Sequence, residues 1–355
     1  MSEELTTWSD LLTALCSGAD LSTEEAAWVM DRVMLGEASP ARLAAFLAAL
    51  RAKGETAAEM QGLADMMLSH ALRFEVAGPS LDIVGTGGDR AHTVNISTMS
   101  SVVAAGAGVP VVKHGNRAAS SSSGSADVLE ALGIRLDTTP EEVIRVFHDV
   151  GITFCFALTF HPSFRHSAVV RKELGIATAF NFLGPLTNPA QPRYAAVGVA
   201  DARMAPLVAG VFAGRGKSAA VFRGDDGLDE LTTSGTSHVW WVHDGAVHEF
   251  ALHPAMVGLS THPVEELRGA DARHNAGVAR RLFEGEDGAP RVAVLLNAGT
   301  ALAVTGADER APSTQEEFEA VVAQGVARAA EAIDTGRAAE VIDRWVAATR
   351  ASDAR

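Results

Sequence analysis

Between residues 82 and 130 the chain gathers groups suited to holding a polyanion. Asp82-Ile-Val-Gly-Thr-Gly-Gly-Asp89 sets a glycine turn after an apolar run, and Asn95-Ile-Ser-Thr98 follows. Lys113-His-Gly-Asn-Arg-Ala-Ala-Ser120 then leads into Ser121-Ser-Ser-Gly-Ser-Ala-Asp-Val-Leu-Glu130. Glycines let the backbone approach an anion closely, and helix N-termini offer unpaired N–H groups and a positive dipole end. With a lysine and an arginine added, the combination suits a sugar carrying several phosphates.

Each motif also has a plainer reading. Gly85-Thr-Gly-Gly88 fits an ordinary strand-to-helix turn, and as a dinucleotide fingerprint it fails because Arg90 stands where the third glycine belongs. Ser97 or Thr98 either caps the next helix or opens it onto a diphosphate, with Ser97 also touching a metal. Lys113–Arg117 is either a polar loop or a phosphate-binding position directly after the strand Val109–Val112. The serines before Ser125 form a flexible tract or a second anion-binding helix start. Asp229 and Glu230, in Asp225-Asp-Gly-Leu-Asp-Glu230, read alone as a solvent-facing loop. Beside a polyphosphate they become magnesium ligands, since Mg²⁺ takes one or two carboxylates plus phosphate oxygens and water. Gly216-Lys217-Ser218 is not a P-loop: Val211 occupies the required glycine position, and Lys217 precedes a strand. His161, Arg165, His166 and Arg171 fall on one predicted helix, a pattern common on surfaces. No Ser/His/Asp or Cys/His nucleophilic arrangement can be read from the sequence.

The elements that would position these groups are legible. Capping boxes at Ser22–Glu25 and Thr56–Glu59, and the cap-plus-proline Ser39-Pro40, start three helices ahead of residue 77. After Pro79, short apolar runs at Leu81–Val84, Val109–Val112, Ile152–Ala157, Ala195–Val199 and Ala219–Phe222 alternate with helical patterns at Thr98–Ala107, Ser125–Leu132, Pro140–Val150 and Met204–Ala213. Asp244-Gly245 between two apolar runs predicts a hairpin. The stretch from Gln315 to Arg350 is helical. The predicted fold is α/β: a small all-helical N-terminal lobe over residues 1–76, joined by the inserted helical segment 161–180, and an α/β lobe over 77–355 with a largely parallel central sheet.

Composition narrows the function. The chain has 355 residues, 47% hydrophobic and 21% charged, as globular proteins do. A formal net charge of −15 disfavours nucleic acid and anionic membranes as partners, so any bound anion must be met by local basic groups. Two distant cysteines, Cys16 and Cys155, build neither a disulfide framework nor a zinc ribbon and suit a reducing compartment. Met-Ser-Glu-Glu-Leu at the start has no apolar signal region. The apolar stretch Val102–Val112 is short of the roughly 20 residues a membrane span needs. A soluble cytoplasmic protein is expected.

Taken together, the strings Asp82–Asp89, Asn95–Thr98, Lys113–Ser121, Gly124–Gly133, His161-Pro162, Asn181–Pro189, Asp225–Leu231, Asn275-Ala276 and Leu295–Ala298 resemble the anthranilate phosphoribosyltransferases. The resemblance runs through most of the chain. It implies the fold shared with pyrimidine nucleoside phosphorylases, a homodimer through the helical lobes, and transfer of 5-phosphoribosyl from 5-phosphoribosyl 1-diphosphate to anthranilate in tryptophan biosynthesis. Carried over by position, the donor would be held by Gly85, Gly88, Asp89, Thr93, Asn95, Ile96, Ser97 and Thr98 after the first strand. Lys113, His114, Gly115, Asn116, Arg117, Ala118, Ala119, Ser120, Ser121 and Ser125 would hold it after the second. Ser97, Asp229 and Glu230 would bind two magnesium ions. Gly85, Asn116 and Arg171 would receive anthranilate, with Arg171 on its carboxylate. Lys113, Asn116 and Arg171 would act through charge and positioning, with no general base. Departures from the family's usual pattern are Leu158 in place of a proline, Ser122, Arg90 and Phe182. Two rivals remain at this stage. A pyrimidine nucleoside phosphorylase is expected to carry Lys-Thr-Gly-His where this chain has Lys113-His-Gly-Asn116. A non-catalytic nucleic-acid-binding paralog sits poorly with the acidic composition and with Asp229-Glu230.

Overall fold

The computed structural model describes residues 7–117, 122–308 and 311–351. Four helices open the chain: α1 (Trp8–Cys16), α2 (Thr23–Met34), α3 (Pro40–Lys53) and α4 (Ala57–Ser69). The Ser22 and Thr56 capping boxes are both formed, and Ser39 accepts from Arg42 N ahead of Pro40. The side chains thus satisfy N–H groups that a helix leaves unpaired.

Then come β1 (Leu81–Gly85), α5 (Ile96–Gly106), β2 (Val111–Gly115), α6 (Ser125–Leu132), α7 (Pro140–Val150) and β3 (Ile152–Phe156). A short α8 (Ala157–Phe160), α9 (Arg165–Leu174) and α10 (Phe180–Leu183) intervene before β4 (Tyr194–Gly198), α11 (Ala205–Gly214) and β5 (Ser218–Gly224). The antiparallel hairpin β6 (Ser237–His243) and β7 (Ala246–Leu252) follows. Positive φ at Asp244 (47°) and Gly245 (75°) gives the turn its twist-matched form. Four helices close the chain: α12 (Ala272–Phe283), α13 (Ala289–Thr305), α14 (Gln315–Asp334) and α15 (Arg337–Arg350).

The sheet order is β3-β2-β1-β4-β5-β6-β7, parallel from β3 to β5. Strand order reverses between β1 and β4, which makes their C-terminal ends a topological switch point. Both faces are covered, so the central strands are near-continuous apolar runs. On one face Ile83, Ala196, Ala220 and Trp241 pack with α5, α6, α13, α14 and α15. On the other, Ala195, Val197, Val221 and Val242 share a core with α11 and the N-terminal helices. Val170 of α9 belongs to that second core, and α9 lies against α2 and α3.

Two predicted boundaries are corrected. The second strand is Val111–Gly115, so Lys113 lies inside it with its side chain buried, and not in a loop after it. The helix expected at Thr98 begins at Ile96, with Asn95 as its N-cap in place of Ser97 or Thr98. Sequence patterning also left α12 and α13 unassigned. Helix α13 is buried around most of its circumference, so it lacks the one-sided period that marks a surface helix.

Helices α13 and α14 cross at Gly299 and Gly325. A Cβ on Gly325 would lie 2.0 Å from the Gly299 carbonyl oxygen, a contact that only backbone displacement relieves. Gly325→Ala is therefore expected to cost about 3 kcal/mol, as overpacking does, read as a lower denaturant midpoint at unchanged slope.

Candidate active site

A cavity of about 430 Å³ opens at the switch point, lined from the ends of β1 and β2, the N-termini of α5 and α6, the α8–α10 segment and the Asp229–Glu230 loop. Its floor depends on two glycines. Gly85 and Gly198 are register partners at the ends of β1 and β4. A Cβ on Gly85 would meet Asp229 Oδ2 at 2.4 Å, and one on Gly198 would meet the Asp229 carbonyl oxygen at 1.7 Å. The acidic loop crosses the sheet edge because both strands end without a side chain.

Asp229 and Glu230 are consequently buried, 8% and 7% exposed, and do not form the solvent-facing loop their neighbours suggested. Asp229 Oδ2 accepts from Gly87 N at 2.7 Å, and Glu230 Oε1 accepts from Ser97 N at 3.2 Å. Burial first, and then the nearby Asp89 charge, raises Asp229 to about 7. Burial and the adjoining Asp229 push Glu230 well above its ordinary value. Asn297 of α13 fixes the loop behind them: its Oδ1 accepts from Leu231 N at 3.0 Å and its Nδ2 donates to Leu231 O at 3.2 Å.

This donor set fits a magnesium ion held jointly with a substrate. It is all oxygen, buried, and carries anionic repulsion that a divalent cation relieves. Among the described residues no three His, Cys, Asp or Glu side chains converge to chelate a metal by themselves. Phosphate oxygens and water would complete the shell, the usual Mg²⁺ arrangement.

The glycine turn adopts backbone angles that favour glycine, φ 69° at Gly87 and 91° at Gly88, and brings Asp89, Thr93, Asn95, Ile96 and Ser97 to the cavity. From β2 the cavity receives His114, Gly115, Asn116 and Arg117, and Ser125 joins from the start of α6. The Arg117 guanidinium is already engaged, with Glu130 Oε1 at 2.8 Å and Asp127 Oδ1 at 3.1 Å, so it brings no free charge. Thr98 and Lys113 do not line the cavity. Thr98 turns into the core. Lys113 lies beneath the floor, donating to the Ile83 carbonyl and reaching Ser97 Oγ at 3.3 Å. Burial lowers its ammonium to about 8, against the opposing pull of Asp82 and Glu230. Ala118, Ala119, Ser120 and Ser121 lie outside the described residues.

On the opposite wall, Arg171 projects from α9 into the cavity while Arg165 of the same helix is exposed. The guanidinium carbon sits 4.7 Å from the Phe164 ring centre and 5.3 Å from that of Phe180. No carboxylate forms an ion pair with it among the described residues, and burial lowers its pKa. An unpaired cation held between aromatic rings is a ready receptor for a planar carboxylate. The aromatic contribution of Phe164 and Phe180 was invisible in sequence, because it depends on three elements meeting.

His114 and His161 lie beside one another, ring centres 5.3 Å apart. His114 Nδ1 pairs with Gly184 O and His161 Nε2 with Thr187 O, each at 2.9 Å. Burial drives them to about 3 and about 4, so both are neutral and each donates its one ring N–H to a carbonyl. Asp82 anchors the arrangement from below, accepting from His114 N at 3.1 Å and from Asn188 Nδ2 at 2.8 Å.

Comparison with known proteins agrees with this architecture. A family model described as the glycosyl transferase family a/b domain matches residues 77–339, and one for the same family's helical bundle domain matches residues 9–71. Anthranilate phosphoribosyltransferase of Streptomyces griseus is 60% identical over 344 residues, spanning 97% of this chain and 96% of that one. Its counterpart in Nocardioides sp. is 58% identical and spans 97% and 99%. Among solved structures, the Thermus thermophilus enzyme of that name superposes with a TM-score of 0.88 at 42% identity, over 96% of this chain and 99% of the other. The Saccharomyces cerevisiae enzyme in complex with PRPP and Mg gives 0.86 at 26% identity, over 97% and 98%.

Proposed function

The chain belongs to the anthranilate phosphoribosyltransferase family, and from that membership we propose how its cavity performs the family's reaction. The enzyme transfers the 5-phosphoribosyl group of 5-phosphoribosyl 1-diphosphate to the amine of anthranilate, giving N-(5-phosphoribosyl)anthranilate and diphosphate, a step of tryptophan biosynthesis. The single observation that carries the site assignment is the pairing, in one cavity, of an unpaired aromatic-clamped Arg171 with the buried carboxylates Asp229 and Glu230.

In the reaction the bond from C1 of the ribose to the diphosphate oxygen breaks with its electron pair leaving on diphosphate, a bond from C1 to the anthranilate nitrogen forms, and the proton lost from that nitrogen passes to water. The glycine turn and the positive dipole ends of α5 and α6 face the diphosphate, where charge develops as it leaves. Asp229 and Glu230, with Ser97, would hold two Mg²⁺ ions. Magnesium, when bound, neutralises charge on the diphosphate oxygens. Lys113, from beneath, fixes Ser97 and adds positive potential. Arg171 grips the anthranilate carboxylate in a planar fork and, with Asn116, holds the amine near C1. The neutral imidazoles of His114 and His161 place no cation beside the amine. An aromatic amine needs no strong base, and the site offers none.

We assign a homodimer through the helical lobes, a helical lobe of residues 1–76 joined by 161–180, and a cytoplasmic setting. No helix among the described residues is long and apolar enough to cross a membrane. A fluorescence assay of anthranilate consumption, run with and without the donor and magnesium, tests the reaction. Arg171→Ala is expected to raise the anthranilate KM by about a hundredfold, the loss of a charge-assisted bidentate contact, with the donor KM near wild type. A wild-type anthranilate KM in that variant would remove Arg171 from the substrate.

A further inference from the structure

Asp229 and Glu230 stand on the loop of residues 225–236, which joins β5 to β6. A side chain on a loop is aimed only as well as the loop is fixed, and Mg²⁺ tolerates little departure from octahedral geometry. Asn297 fastens this loop from outside, at Leu231. A second fastening lies within it. Asp226 Oδ1 accepts from Leu228 N at 3.2 Å, on the residue before Asp229. Asp226 Oδ2 accepts from Thr232 Oγ1 at 2.6 Å and from Ser234 Oγ at 2.9 Å, beyond Glu230. One carboxylate thus ties the limb entering the acidic pair to the limb leaving it.

The neck of the loop is shaped around that carboxylate. Gly224 N donates to Leu228 O at 3.0 Å, Gly227 N donates to Gly224 O at 2.9 Å, and Asp225 N donates to Thr236 O at 3.0 Å. Gly227 takes φ 95°, so the chain doubles back directly after Asp226. A Cβ on Gly224 would press on Asp226 Oδ1 and on Thr232, so the end of β5 leaves the space that the clasp occupies. Thr232 is 1% exposed and its Oγ1 also accepts from Ser234 N at 3.1 Å, which fixes the far limb. Asp226 itself is exposed and does not line the cavity.

We infer that Asp226 is a positioning residue for the divalent cation: by closing the loop on both sides of Asp229 and Glu230, it sets the spacing and aim of their carboxylates. The inference rests on reading that pair as the magnesium site. Three donors on one charged acceptor are bonds of the stronger kind. Without them the two limbs are held together only by backbone bonds and by Asn297, and the acidic pair gains freedom that cation binding must then remove. Asp226 touches no substrate, so its effect falls on magnesium and not on anthranilate.

The test is a double-mutant cycle on the full-length enzyme. It is read by the Mg²⁺ concentration giving half-maximal rate, and by calorimetric titration of Mg²⁺ in the presence of inorganic diphosphate. Asp226→Ala is expected to raise the half-maximal concentration and the Mg²⁺ Kd about tenfold, the equivalent of one hydrogen bond to a charged group. The anthranilate KM should stay near wild type, and excess Mg²⁺ should restore much of the lost rate. Thr232→Val removes one of the three donors and is expected to raise both values about threefold in the wild type, but to add little in the Asp226→Ala background. An unmoved Mg²⁺ response in Asp226→Ala, even with lowered stability, overturns the inference, as does a full additional effect of Thr232→Val. Should Asp226→Ala fail to fold, Asp226→Asn keeps the shape, sets an N–H against these donors and is read the same way; failure of both to fold assigns Asp226 to stability alone and also overturns it. The variant carrying Asp229→Asn and Glu230→Gln is the separate control: if it keeps the wild-type Mg²⁺ response, the functional reading of the pair fails, whatever Asp226 does.

Discussion

Asp229→Asn combined with Glu230→Gln is expected to lower kcat by about three orders of magnitude, the scale set by losing preorganised stabilisation of developing charge. The same double variant should be at least as stable as the wild type without metal. The two carboxylates are buried in neighbouring positions; burial and then Asp89 raise Asp229, and burial and then the Asp229 charge raise Glu230. Neutral amides of the same shape remove those buried charges while keeping an oxygen for Gly87 N and another for Ser97 N. Kinetics and thermal unfolding thus move in opposite directions, which separates a lost charge site from a damaged fold. A variant that lost activity and melted well below the wild type would instead mark the pair as structural. Activity that retained the wild-type response to magnesium would place the ion elsewhere.

Gly198→Ala is expected to be nearly as damaging, although residue 198 carries no chemistry. The new Cβ would stand 1.7 Å from the Asp229 carbonyl oxygen and 2.4 Å from its carbonyl carbon. Both are backbone atoms, so the loop itself must lift. Displacing catalytic groups by about 1 Å can cost roughly a hundredfold in rate, and that is the expected minimum here. The overpacking should also cost about 1–3 kcal/mol of stability. Gly85→Ala supplies the internal comparison: its Cβ would meet a side-chain oxygen, Asp229 Oδ2, at 2.4 Å, which a side-chain rotation relieves in part. A smaller loss is expected there, with a raised magnesium requirement. Equal activity in Gly198→Ala and wild type would show that the height of the Asp229 loop does not matter.

The two experiments probe one arrangement from opposite sides. Parallel strands ending in glycine at a switch point make a shallow seat, and the loop joining β5 to its antiparallel neighbour β6 drops into it carrying two carboxylates. Helix α13 keeps the loop there through the paired amide bonds of Asn297 to Leu231. In the proposed reading the metal and diphosphate sites are built on the same strand ends.

Much of this was legible in the chain alone, and for a local reason. Capping boxes at Ser22 and Thr56, the cap-plus-proline at Ser39-Pro40, and the Asp244-Gly245 turn each depend on residues within one turn of one another. The alternation of apolar runs and helical patterns fixed the class of fold, because a sheet covered on both faces requires it. The glycine turn, the Lys113–Arg117 segment and the Asp229-Glu230 pair identified the family. Tertiary structure decided how these residues work. Lys113 was expected on the site and lies under it, because β2 extends through Gly115 and directs the side chain inward. Thr98 was expected to meet the ligand and points into the core, because α5 starts two residues earlier. Asp229 and Glu230 look solvated in sequence and are buried, since two glycines 113 residues apart in sequence, Gly85 and Gly198, become neighbours in the sheet. Arg171 looked like a surface charge until Phe164 and Phe180 closed on it. A residue's type and near neighbours set what it can do; burial, and the partners that determine its charge and aim, come from strands and helices distant in the chain.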